Sequence, residues 1–250
     1  MRISVCSLTF TMLTASILSA GSFTNGTFET GDFSGWTQGA GYWTGGSPPN
    51  PTNYLPGGSD YNLGYNASAI VTPGLDPFTD NNLNMVYSGK YSARVNDSYN
   101  NYSVSVISQT VQNYTDTNIY FAWAAVLQES HGVNDSDNFI LKLTNDTLGT
   151  TLYEVTYNSA NAPAGLFTRS STGWYYTSWQ VQNLDVSQYL GDTFTLSLLG
   201  SDCPYGGHAG YVYLDGFGSA PPPPGGDVPE PGTVGLMAAG VGILMYMRRK

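Results

Sequence analysis

The sequence predicts an all-β protein made of two packed antiparallel sheets. Three observations point there. Short apolar runs, alternating or continuous, recur from Gly26 onward and are separated by Gly, Asn, Asp and Pro. Aromatic residues make up 14% of the chain, enough apolar surface for a packed core. Charged residues are only 10%, so polarity comes from amides and hydroxyls.

Strands are expected at Lys90 to Val95, Ser103 to Val111, Asn118 to Leu127, Asn138 to Leu143, Thr151 to Tyr157, Trp179 to Leu184, Thr193 to Leu199 and Gly210 to Phe217. No segment between them carries a convincing helical period, which favours a sandwich. Ser103, Ser105 and Gln109 alternate imperfectly with Val104, Val106 and Ile107, predicting a bulge near Ile107. Residues Gly39 to Asn82 are rich in Pro and Gly with no clear period, and read as a long irregular insertion. Its Tyr42, Trp43, Tyr54, Tyr61 and Tyr65 imply that it packs on something.

Both ends differ from this middle. Arg2 precedes an uncharged run from Ile3 to Leu18 and then small residues, the pattern of a secretory signal peptide over residues 1–22, with cleavage after Ala20 or after Ser22 left open. A β-sandwich domain is expected over 23–219 and a Pro/Gly-rich linker over 220–227. The last segment, 228–250, holds Val228-Pro229-Glu230-Pro231, an uncharged stretch from Gly232 to Met247, and Arg248-Arg249-Lys250. A helix over that stretch would reach about 24 Å at about 1.5 Å per residue, just enough for a transmembrane helix when the terminal basic side chains snorkel. The basic cluster stays cytoplasmic under the positive-inside rule, leaving the rest outside.

A formal net charge of −10 disfavours nucleic acid and anionic lipid surfaces as partners. Of the two cysteines, Cys6 falls in the signal segment, so Cys203 would be a single thiol, read as a buried small residue.

Val228, Pro229, Glu230 and Pro231, followed by an apolar helix and by Arg248 and Arg249, resemble the PEP-CTERM sorting signal of Gram-negative bacteria. The resemblance implies recognition and cleavage by an exosortase-type enzyme, transient anchoring in the inner membrane, and a mature protein at the cell surface or in the extracellular matrix, with exopolysaccharide as a partner. A plain single-pass anchor is the alternative.

The opening Asn25 to Trp36, the segment Tyr87 to Val95 and the closing Gly210 to Asp215 resemble galactose-binding-like jelly rolls found in many carbohydrate-binding modules. That resemblance implies a jelly-roll-like antiparallel β-sandwich with residues 25–36 on its first strand. It also implies a structural calcium ion held by Glu29, a backbone carbonyl at Lys90 and Asp215. Two carboxylates and some carbonyls begin, without completing, the shell of six or more oxygens that calcium takes.

No catalytic pattern declares itself. His131 and His208 lack metal-ligand spacing, Cys203 and His208 are close in sequence near glycines of an expected turn so that a Cys-His dyad has to be judged in space, and no pair of acids stands out for glycoside hydrolysis. Asn134-Asp135-Ser136-Asp137-Asn138 lacks the Gly and Glu of an EF-hand and reads as a solvated turn. The aromatics are the best clue, because sugar faces stack on Trp and Tyr. The candidates are Trp36, Tyr42, Trp43, Trp174, Tyr175, Tyr176 and Trp179, with Trp174-Tyr175-Tyr176 the expected exposed cluster. The expectation is a non-catalytic surface or matrix protein that binds polysaccharide weakly or serves structurally; a secreted glycan hydrolase and a protein adhesin are the alternatives.

Overall fold

A computed structural model describes residues 21–129 and 131–223. The expected signal segment up to residue 20, the sorting motif and its helix lie outside the described residues. Among the described residues, twelve strands run β1 (Thr37–Tyr42), β2 (Ala69–Val71), β3 (Ser92–Val95), β4 (Ser103–Val111), β5 (Asn118–Gln128), β6 (Asn138–Asn145), β7 (Thr150–Asn158), β8 (Phe167–Arg169), β9 (Trp174–Thr177), β10 (Gln180–Asp185), β11 (Phe194–Ser201) and β12 (Gly210–Gly218). A one-turn helix, α1 (Pro51–Tyr54), is capped by Asn50, whose side chain accepts from Thr52 N.

The strands form two antiparallel sheets, a jelly-roll-like β-sandwich. The five-stranded sheet has the order β1-β4-β11-β6-β7, and the seven-stranded sheet β2-β3-β12-β5-β9-β8, with β10 beside the first half of β5. Period-2 alternation explains the packing. Ile119, Phe121, Trp123, Ala125 and Leu127 of β5, and Val212 and Leu214 of β12, face Ile107, Leu196, Leu198, Phe139 and Leu141 of the other sheet in one shared core.

Both outer faces are also covered, and the Gly39–Asn82 region does much of the covering. On the five-stranded sheet, Trp43 and Tyr54 bury the outward Val104, Val106, Ile140 and Leu199. On the seven-stranded sheet, Phe78, Leu83 and Met85 bury Ala124, Val126, Tyr211 and Tyr213. The region is not wholly irregular, because it contains β1 and β2. Gly41 explains why β1 is glycine-rich: a Cβ there would meet Asp60 O at 2.2 Å, so the insertion lies directly on the strand.

Two expectations are corrected. β4 has no bulge at Ile107, since its register runs unbroken from Ser103 to Ser108 against β1. Val104 and Val106 face outward under the insertion, whereas Ser103 and Ser105 turn inward and hydrogen-bond to Asn96 Oδ1. Residues 25–36 form turns rather than a first strand. Asn25 Nδ2 donates to Asp32 O at 2.9 Å and Ser34 O at 3.2 Å, tying the segment into a compact loop.

Candidate functional site

The side chains with chemistry fall into three places. The first is a cleft of about 230 Å³ on the five-stranded sheet, between the end of β1 and α1. Tyr42, Trp43, Asn50, Asn53, Tyr54 and Asp60 line it. Trp43 and Tyr54 form a buried floor, with the indole N–H donating to Ser47 O at 3.1 Å. Burial and the nearby Asp60 push the Tyr54 phenol up to about 12, so it stays a neutral hydroxyl. Tyr42 is 40% exposed at the rim, its ring 5.0 Å from Tyr102 and 5.7 Å from Tyr65. Aromatic surface beside amides, a carboxylate and a phenol is the combination that a sugar's apolar face and hydroxyl rim require.

The second place is the turn at residues 87–91. Glu29 Oε1 accepts from Lys90 N at 2.8 Å and Tyr91 N at 3.2 Å, while Asp215 Oδ2 accepts from Ser88 N at 3.0 Å. The two acids named from sequence therefore meet at one turn, which engages them through its N–H groups. Asp215 is buried, and burial with the nearby Glu29 charge contributes to raising its carboxyl to about 7. A close carboxylate pair, one member buried, is compatible with a hard cation. Gly89 makes the approach possible: its φ is +77°, and a Cβ would lie 2.3 Å from Glu29 Oε1.

The third place is the β11–β12 connection. Cys203 is fully buried, as expected, and its surroundings are polar. His208 Nδ1 lies 3.6 Å from its sulfur, and Gly207 N donates to that sulfur at 3.4 Å. His131, from the β5–β6 connection, sets its ring 4.7 Å from that of His208. Burial, and then His131, push the His208 imidazole down and favour its neutral form. The Asn134–Asn138 segment is not simply a solvated turn, because Asp137 is wholly buried and well above the usual carboxylate range, chiefly through burial and then through Cys203.

The aromatic residues singled out from sequence sort unevenly. Trp36 is 7% exposed, stacks on Phe28 and has the Phe217 ring tilted against it at 5.6 Å. Trp174 is 5% exposed, held by Phe78 and Tyr211. Neither offers a free ring face, which corrects the expected exposed cluster at Trp174. Tyr175 and Tyr176 are half-buried on β9. Trp179 is half-buried between Tyr87 and Tyr213, with Nε1 donating to Asn84 O at 2.8 Å. Sequence reasoning missed Asn50, Asn53 and Asp60, which become a site only when the insertion folds back on β1.

Comparison with known proteins decides the C-terminus. Residues 227–250 match the model of the PEP-CTERM protein-sorting motif. The chain ends in a PEP-CTERM sorting signal. The PEP-CTERM motif implies export, C-terminal membrane anchoring and exosortase processing. No curated protein matches the sequence. Among solved structures, TmCBM61 in complex with β-1,4-galactotriose is similar at 14% identity and a TM-score of 0.40, over 80% of this chain and 97% of that one. The xylan-binding domain from CBM 22 is similar at 15% identity and a TM-score of 0.33, over 82% and 97%. The enzymatically active domain of bacteriophage CBA120 tailspike protein 4 is similar at 11% identity and a TM-score of 0.37, over 78% of this chain and 20% of that chain.

Proposed function

We propose that the sandwich is a non-catalytic surface or matrix module that binds polysaccharide in the cleft beside β1. The observation that carries this reading is the cleft itself, where the exposed Tyr42 ring and a Trp43/Tyr54 floor stand next to Asn50, Asn53 and Asp60. Exopolysaccharide at the cell surface is the glycan such a module would meet. After export, an exosortase-type enzyme cuts the tail, and the domain is released or attached outside the inner membrane.

Glu29 and Asp215 would hold a structural calcium ion with the backbone carbonyl at Lys90, the ion competing with the N–H contacts that the turn makes to the two carboxylates. The ion would neutralise two carboxylates and lock residues 87–91 against β12, away from the cleft. Weak binding fits a shallow, polar cleft. Affinity electrophoresis of the full chain in polysaccharide gels tests the assignment: Tyr42→Ala and Asn53→Ala should abolish the retardation that Trp179→Ala retains. Equal retardation in all variants would remove the cleft from the account.

A further inference from the structure

The β11–β12 connection doubles back on itself. Cys203 N donates to His208 O at 2.9 Å and Gly206 N to Cys203 O at 3.3 Å, closing a small loop in which Gly206 has φ +71°. This closure carries the His208 ring over the Cys203 sulfur. His131 arrives from the opposite connection, its ring nearly perpendicular to that of His208 at 82°. One donor atom from each of His131, Cys203 and His208 lies within 4.8 Å of the other two.

The spacing suits a tetrahedral ion. With a metal–sulfur bond of about 2.3 Å and a metal–nitrogen bond of about 2.05 Å, a tetrahedral edge between sulfur and nitrogen is about 3.6 Å. The Cys203 Sγ to His208 Nδ1 distance is 3.6 Å. His131 is exposed and free to close the remaining gap by side-chain rotation.

An independent observation comes from Asp137. Its side chain is 0% exposed, and neither carboxylate oxygen has a hydrogen-bond partner. The nearby Gln128 N–H is spent on Ala209 O at 3.0 Å. The carboxylate packs tightly on the start of β12, where a Cβ on Gly210 would meet Oδ2 at 2.8 Å. Burying an unpaired carboxylate is costly, so native structures pair such a group, keep it protonated or place a cation beside it. Within electrostatic range of Asp137 lie Cys203 and Asp202, both acidic groups. Asp202 is already satisfied by Asn96 Nδ2, Asn101 N and Ser103 N.

We propose that Cys203, His208 and His131 bind a zinc ion, with Asp137 supplying the buried negative charge that balances it. A thiolate and a carboxylate together offset the two positive charges, so the filled site is neutral inside the protein. One sulfur and two imidazole nitrogens form a donor set for zinc rather than for calcium or magnesium, which take oxygens. Binding removes the proton from the Cys203 thiol, together with any proton held on Asp137, and releases it to solvent. A free nucleophile is a poorer reading of Cys203, because its fully buried sulfur offers no approach to a substrate. The ion would tie the β5–β6 and β11–β12 connections together near the cleft, where a Cβ on Gly45 would lie 3.0 Å from Pro204.

Cobalt(II) titration of the metal-stripped full chain tests this directly. The expected result is a one-to-one complex with a thiolate-to-cobalt charge-transfer band and intense visible bands of a tetrahedral ion, all displaced by zinc. Cys203→Ser should abolish the charge-transfer band, whereas Cys6→Ser should leave it intact. His131→Gln should weaken cobalt binding at least tenfold; because His131 is exposed, this variant keeps the test valid should Cys203→Ser fail to fold. Absence of the band in the parent protein, or a band indifferent to His131→Gln and His208→Gln, would overturn the assignment.

Discussion

Removing the Asp76 carboxylate should detach the loop that covers the seven-stranded sheet. Asp76 is fully buried and accepts from the hydroxyls of Tyr211 and Tyr213, each at 2.7 Å, and from Phe78 N at 2.8 Å. Burial, with Asp76 close by, pushes both phenols far up, so they remain donors. A hydrogen bond to a charged group contributes about 1.5–3 kcal/mol net, and the two phenols share one acceptor oxygen, so their losses will not add fully. Asp76→Ala should therefore cost about 3 kcal/mol. For a domain of this size that lowers Tm by roughly 6–12 °C. Tyr213→Phe should cost about half as much, and the Asp76→Ala/Tyr213→Phe double variant should be less destabilised than the sum. Thermal and urea unfolding of the full chain, followed by circular dichroism, gives all three values. A loss below about 0.5 kcal/mol for Asp76→Ala would show that this carboxylate does not hold the loop.

Other perturbations test other parts of the account. Gly89→Ala places a methyl group against Glu29 in a left-handed backbone and should cost at least about 1 kcal/mol, measured by urea unfolding. Added calcium should raise Tm of the parent protein, and Glu29→Ala or Asp215→Ala should abolish that rise; a calcium response unchanged in either variant would contradict the assignment. Replacing Pro229 and Pro231 in the sorting motif should leave full-length protein in the membrane fraction, read by immunoblot against the processed parent.

Much of the sandwich was legible in the sequence because its inner strands are apolar runs, alternating or continuous, bounded by Gly, Asn, Asp and Pro. All eight strands read from the pattern exist, with ends displaced by at most a few residues. The strands that escaped notice had weak local signals. β1 reads Thr-Gln-Gly-Ala-Gly-Tyr, and its glycines, poor strand formers, are there because the insertion rests on them. β2 and β8 span three residues each, too short to show any period. The false bulge in β4 came from assuming that valine faces in and serine faces out. That assumption fails where a covering loop makes both faces interior.

The sites were less legible, because each depends on chain folded over chain. Trp36 and Trp174 attracted attention as sugar-stacking residues, yet large aromatic rings lower free energy most by burial, and these two are buried. The cleft depends on Asn50 capping α1 and on Asp60 N bonding to Asn53 O at 2.9 Å, contacts that no spacing in the sequence announces. Glu29 and Asp215 were singled out only because a family resemblance named them. His131 and Cys203 are far apart in the chain, and the β5–β6 and β11–β12 connections bring them together.

Glycan recognition is proposed for the cleft beside β1. Its most direct test is a glycan array probed with the full chain, followed by titration of the best ligand against the parent and Tyr42→Ala. Losing one stacked ring at about 1.5 kcal/mol corresponds to roughly tenfold weaker binding. That loss is expected in a variant whose unfolding curve matches the parent. Absence of binding to every glycan, or an affinity unchanged by Tyr42→Ala, would contradict it.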